Sequence, residues 1–260
     1  MPLNEYRKKR HFDITSEPSG EKSAGKAAKS PLIYVVQKHR ATQLHYDFRL
    51  EFNGTLLSWA VPKGPSLDPS VKRLAMQVED HPVEYATFEG VIPEGEYGGG
   101  TVMLWDLGTW IPEVPDVAAA LEKGDLKFKL QGKKLKGSWV IVRTRGFGSS
   151  SKSSWLLIKH RDEFASTEDI TQTMPRSVVS NRLLEEIARD AGGDVEKAAT
   201  GDPVRKTSPA KSERKPKVRG ESARGEPVGR ESSTTRRKSP SSKQPARTSS
   251  ASQRAKKKRA

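Results

Sequence analysis

From Leu44 the chain alternates. Leu44, Tyr46, Phe48, Leu50 and Phe52 fall on one parity, and His45, Asp47, Arg49 and Glu51 on the other. A period of two is the signature of a β-strand with one apolar face. The same texture recurs along the chain and predicts strands over 32–37, 43–52, 55–61, 73–79, 100–105, 125–130, 136–144 and 155–160. Turn chemistry separates them, at Asn53-Gly54, Lys63-Gly64-Pro65, Pro93-Glu94-Gly95 and Gly98-Gly99-Gly100. Asn53-Gly54 between two alternating runs predicts a two-residue hairpin. Residues 117–123 suit one or two helical turns. Residues 181–191 read as a helix, with Leu183, Leu184, Ile187 and Ala188 on one side. Short strands at this spacing predict an all-β protein, an antiparallel barrel or sandwich, with a short C-terminal helical segment.

Composition divides the chain further. Residues 201–260 hold 19 Lys and Arg against 5 Asp and Glu; the whole chain holds 47 and 32, which leaves 28 and 27 for residues 1–200. The positive charge therefore belongs to the tail. That tail has no Phe, Trp, Tyr, Leu, Ile or Met, and only Val204, Val218 and Val228. It cannot bury enough apolar surface to offset chain entropy, so both termini are predicted disordered. A flexible polycation suits nucleic acid as a partner. The predicted organisation is an N-terminal arm and linker over 1–30, with an ordered piece around 10–18. A β-domain over 31–165, a helical extension over 166–200 and the basic tail over 201–260 follow.

The chain has no cysteine, which excludes disulfides and thiolate metal sites. No stretch has the length and apolarity of a membrane span, and the N-terminus has no signal-peptide core. The expected setting is cytoplasmic and nucleoid-associated, with no membrane partner.

The polar parity of the second strand changes the picture most. His39, His45 and Asp47 are two imidazoles and a carboxylate, a set that can hold a divalent metal with coordination positions open. Arg49, two residues on, is placed to fork onto a phosphate. The strand over 73–79 alternates Leu74, Met76 and Val78 with Arg73, Gln77 and Glu79, and His81 follows just before Pro82. A third histidine beside a metal could be a ligand, a general acid or a donor to a phosphate oxygen. The glycine-dense loop over 88–101 suits the rim of a phosphate site or a barrel corner, and lacks the lysine and helix of a P-loop. There is no Gly-x-Ser-x-Gly elbow and no Lys-x-Asp-Gly adenylation motif.

The runs 37–50, 58–66, 78–82 and 88–98, in that order, resemble the 3′-phosphoesterase module of bacterial ATP-dependent DNA ligase D. The similarity extends over about residues 5–190 and leaves out the tail. The resemblance implies a compact β-barrel and a manganese-dependent phosphoesterase that heals the 3′ ends of DNA primer-templates in bacterial non-homologous end joining. Such an enzyme removes a terminal ribonucleoside and then the 3′-phosphate. It implies that His39, His45 and Asp47 hold the metal and that Arg49 and His81 contact the scissile phosphate, with Tyr85 nearby. Lys63, Arg73 and Glu79 match positions that support the reaction. Arg10 and Glu17 match a further segment, in which the family often has an acidic residue at the position of His11. Mn²⁺ suits this donor set, and Co²⁺ or Zn²⁺ could bind the same atoms. His81 has an ordinary pKa near neutrality, which suits a general acid or a transition-state stabiliser.

At 260 residues ending in a polycation, a stand-alone module is expected, with the tail supplying DNA affinity. Two other readings compete with the enzyme. One is a non-catalytic accessory that binds DNA and recruits Ku or a DNA ligase. The other is a nucleoid-compacting protein, which would leave the polar strand faces idle.

Overall fold

A computed structural model describes residues 3–21, 31–144 and 154–204. The predicted tail, apart from its first four residues, lies outside them, as do residues 22–30 of the predicted linker. The strands are β1 (Ile33–Arg40), β2 (Leu44–Phe52), β3 (Thr55–Val61), β4 (Arg73–Gln77), β5 (His81–Pro82), β6 (Gly90–Ile92), β7 (Gly100–Pro112), β8 (Asp125–Gly132), β9 (Lys136–Arg143) and β10 (Ser154–Lys159). Eight of them close a barrel in the order β1-β2-β3-β4-β10-β9-β8-β7 and back to β1, every pairing antiparallel. The predicted barrel is the observed fold. β5 pairs with β3 and β6 with β7, each as a short addition.

The alternation decides what fills the barrel. Tyr46, Phe48 and Leu50 from β2 join Tyr34 and Val36 from β1 and Phe128 from β8 in one buried cluster. All five tryptophans are buried. Phe48 lies against Phe128 with ring centroids 5.8 Å apart. Asn53 (φ 51°) and Gly54 (φ 77°) both take positive φ, the geometry that matches hairpin twist between β2 and β3.

β7 runs seven residues past its predicted end at Trp105. Within that extension Asp106 is fully buried and satisfied. It accepts from Tyr34 Oη (2.6 Å) and from the backbone N–H of Lys134 and Leu135. β5 and β6, too short to carry a periodic signal, were not predicted.

The helices are α1 (Asn4–Lys8), α2 (Val117–Lys123), α3 (Ile170–Thr173), α4 (Leu184–Asp190) and α5 (Val195–Ala199), with a 3-10 helix over Val83–Thr87. α2 matches its prediction because Asp116 caps it and Gly124 ends it in the left-handed region. α4 begins three residues later than predicted, since Asn181 is itself left-handed (φ 57°).

The helical extension is fastened to the barrel by buried polar groups. Lys134 Nζ donates to the Met174 and Arg176 carbonyls. Lys38 on β1 pairs with Asp202, which also accepts from the first N–H groups of α4.

The N-terminal arm is ordered over more than the predicted 10–18. Residues 3–21 lie on the outside of the barrel, where Tyr6 joins Val35, Leu56, Tyr85, Phe88 and Val102 in a second apolar cluster.

Candidate metal centre and its cavity

The outward parity of β1, β2 and β3 builds the site. Register pairs His39 with His45, Gln37 with Asp47 and Arg49 with Ser58. Six side chains that are scattered in sequence thus share one patch. The strand pattern alone suggests a solvated polar face, but Asp47, Arg49, His39 and Ser58 are buried. The arm, the 3-10 helix and the loop between β6 and β7 cover them.

His39 Nδ1 and His45 Nε2 each lie 3.6 Å from Asp47 Oδ2. The ligand atoms of the three residues all fall within 4.8 Å of one another. Each imidazole is oriented by its far nitrogen. His39 Nε2–H donates to the Gly98 carbonyl (2.8 Å), and His45 Nδ1–H to the Gln43 carbonyl (3.0 Å). That leaves the His39 Nδ1 and His45 Nε2 lone pairs facing the Asp47 carboxylate. Three electron-pair donors converging on one point repel unless a cation lies between them, so the set fits a divalent metal. Gly98 can present its carbonyl because it is left-handed (φ 81°). At Gly100 a Cβ would overlap the Arg40 carbonyl, so only glycine lets β7 start this close to β1.

Arg49 lies behind the donors, its Nη2 3.3 Å from Asp47 Oδ2. Burial alone would raise the Asp47 pKa. Arg49, and the two imidazoles when they carry a proton toward Asp47, outweigh that and hold it well below the usual carboxylate range. Burial would lower the His45 pKa, but the Asp47 hydrogen bond and charge carry it upward instead.

Gln37 and Ser58 hold Arg49 in place. Arg49 Nε–H donates to Gln37 Oε1 (2.9 Å) and Nη1–H to Ser58 Oγ (2.8 Å). The Gln37 amide is itself fixed by donating to the Tyr85 and Phe88 carbonyls. Sequence reasoning did not single out either residue, although Gln37 shares the parity of His39 and that signal was available.

His81 meets Arg49 on one side and Arg10 on the other. Arg10 Nη2–H points at His81 Nε2 (3.2 Å) and Arg49 Nη1–H at Nδ1 (2.9 Å), which also lies 2.9 Å from the Glu79 carbonyl. Burial, with the charges of Arg49 and Arg10, pushes the His81 pKa well below its ordinary value. The expected pKa near neutrality is corrected accordingly: in this arrangement His81 is neutral. Its surroundings, invisible in the local sequence, include two guanidinium groups and the rings of Tyr6 and Tyr85, with little solvent.

The arm thus reaches the site. Arg10 Nε–H donates to Glu17 Oε1 (2.8 Å), as does the Tyr85 hydroxyl (3.0 Å). Arg10 also lies 3.9 Å from the centroid of the Tyr6 ring. Glu79 takes Lys9 at 3.1 Å and Arg10 at 3.5 Å. His11 stands apart, exposed, with Nδ1 3.1 Å from Glu96 Oε2. Lys63 is exposed in the turn after β3, and Arg73 pairs with Leu157 across β4 and β10. Neither lines the cavity. That cavity, of about 280 Å³, brings together His39, His45, Asp47, Arg49, His81, Glu79, Tyr85 and Arg10, with Tyr97 at its edge. Its size admits a phosphate with an attached sugar.

Residues 37–143 match the DNA Ligase D 3′-phosphoesterase domain. The chain is 54% identical over 186 residues to the multifunctional non-homologous end joining protein LigD of Pseudomonas aeruginosa, across 70% of this chain and 22% of that protein. It is 43% identical over 144 residues to the multifunctional non-homologous end joining DNA repair protein LigD of Mycobacterium tuberculosis, across 55% of this chain and 18% of that one. To the corresponding protein of Mycolicibacterium smegmatis it is 37% identical over 166 residues, 62% of this chain and 21% of that one. The chain spans about a fifth of the length of the curated relatives it matches.

Proposed function

Since this chain belongs, through residues 37–143, to the DNA ligase D 3′-phosphoesterase family, we propose that it is a metal-dependent phosphoesterase that heals DNA 3′ ends for non-homologous end joining. Its substrates are 3′-ribonucleoside and 3′-phosphate ends of a primer-template. One observation supports this reading above others: three oriented donors, His39, His45 and Asp47, converge within 4.8 Å beside a buried arginine in a cavity. Mn²⁺ is the cation of choice in this reading, held by His39 Nδ1, His45 Nε2 and Asp47 Oδ2. When bound, such a cation supplies Lewis acidity toward a phosphoryl oxygen.

The chain's own residues do the rest. Arg49, with its Nε–H and Nη1–H held by Gln37 and Ser58, offers fixed positive charge to a transferring phosphoryl group without reorganising. His81 backs it as a neutral ring. Burial first, and then the charges of Arg49 and Arg10, keep His81 neutral; a phosphate arriving between the two guanidinium groups offsets their charges and so moves His81 toward proton uptake. His81 then has a proton to give to a leaving oxygen, which joins its two candidate roles in sequence. Tyr85 and Glu79 act through Arg10 and His81. Ku and a separate ligase are the partners this role calls for.

The test is incubation of the full chain with Mn²⁺ and a labelled primer-template ending in a ribonucleotide or a 3′-phosphate, beside His45→Ala. A shortened or dephosphorylated 3′ end made by the unaltered chain alone is the expected result. DNA binding without any processing would replace the enzyme with a non-catalytic accessory.

A further inference from the structure

Among the described residues, eight large apolar side chains are exposed, and of these only Tyr97 lines the cavity. It is 49% exposed, whereas Tyr85, the other cavity tyrosine, is 2% exposed and tied to Glu17. The ring joins neither apolar cluster of the barrel, and its contacts are with the cations Lys9 and Arg10.

Two further observations bear on what it meets. Tyr97 is joined by one peptide bond to Gly98, whose carbonyl holds His39. The ring and the three metal donors line the same cavity. Cations also flank it: Lys9 Nζ lies 4.6 Å from the ring centroid and Arg10 Cζ 5.7 Å. A half-exposed aromatic interleaved with cations is how proteins hold single-stranded nucleic acid, with stacking on the base and charge on the backbone.

We infer that Tyr97 is the stacking platform for the last nucleobase before the scissile phosphate. Lys9 stands by the adjacent backbone phosphate. This rests on the proposed 3′-end function and adds what that function lacks, a way to hold the nucleoside while its phosphate lies at Arg49. Stacking is indifferent to base identity, so the end is gripped without sequence preference. The terminal base must be unpaired to reach the ring, which favours frayed or single-stranded ends.

The experiment compares binding of the full chain to two primer-templates with a 3′-phosphate, in EDTA so that nothing turns over. One carries 2-aminopurine as the last nucleobase and the other an abasic residue there. The chain should quench the 2-aminopurine and prefer the base-bearing end by roughly 5- to 150-fold, the equivalent of one stacked base. Tyr97→Leu should abolish both the quench and the preference, and Tyr97→Trp should restore them. A substitution that merely loosened the arm would weaken both ends equally, and that result would overturn the inference. So would an undiminished preference in Tyr97→Leu. Because no hydrolysis is read, a chain that shows the preference but processes no end in Mn²⁺ would lose the enzymatic reading and keep this one. One that processes ends without the preference would do the reverse.

Discussion

The two faces of β2 differ in everything but their backbone. Tyr46, Phe48 and Leu50 point into the barrel and are dry, apolar and mutually packed. Asp47 and Arg49, their immediate neighbours, point outward and are as deeply buried, at 7% and 2% exposure. The inner face needs only volume. The outer face needs partners for its charges, and they come from elsewhere: Gln37 from β1 and Ser58 from β3 hold Arg49, while Arg10 and Glu17 of the arm pair with each other beside His81. Burial of apolar area stabilises the fold. Burial of paired ions contributes little net stability, because desolvation offsets attraction, but it fixes charges in orientations that water would otherwise screen. The core and the candidate site are thus two products of one alternation.

That division breaks first along the strand itself. Phe48→Ala removes a ring packed against Phe128, Trp59 and Tyr34. It should cost about 3–5 kcal/mol in denaturant unfolding and leave the metal affinity of the folded protein nearly unchanged. Asp47→Asn, one residue away, should show the reverse, with Mn²⁺ binding by calorimetry lost and unfolding affected less. If the two variants gave the same pattern, the faces would not be separable.

A smaller effect tests how the arm belongs to the outer face. Glu17 accepts from Arg10, Thr15 and Tyr85 with its side chain fully buried. Glu17→Gln removes the closer of the two carboxylates paired with Arg10 and should cost about 1–3 kcal/mol. The loss should appear as faster hydrogen exchange over residues 3–21, with the barrel interior protected as before. Uniform acceleration would mean that the arm and the barrel open together.

The smallest effect sharpens the comparison by pH. Asp80, between Glu79 and His81, has its pKa raised by burial to about 6. A carboxyl that binds its proton more tightly when folded destabilises the folded state as pH rises. The penalty is absent below the ordinary Asp range, grows up to about pH 6 and is constant above it. Asp80→Asn should therefore raise the melting temperature at pH 8 and lose that gain as pH falls toward 4. An advantage independent of pH would assign the effect to packing.

How much of this was legible in the chain follows residue by residue. The eight barrel strands, the Asn53-Gly54 hairpin and α2 were visible because period-two alternation, turn residues and caps are local signals. His39, His45, Asp47 and Arg49 were visible for the same reason, being close together on adjacent strands. The far end of β7 was not. A buried Asp106 reads as a break until Tyr34 and the 134–135 backbone are placed around it. Gln37 and Ser58 went unnoticed because an uncharged polar residue in a strand signals nothing until its neighbour across the sheet is known.

The sequence by itself determined a β-barrel and a concentration of metal-ligating and phosphate-seeking groups on one strand pair. Both follow from spacing along the backbone, which a strand converts directly into facing. Only the tertiary structure decided that the polar face is covered, that Arg10 crosses 71 positions to cap His81, and that His81 is consequently neutral. A pKa depends on distance to charges and to water through space, and neither is a property of the order of residues.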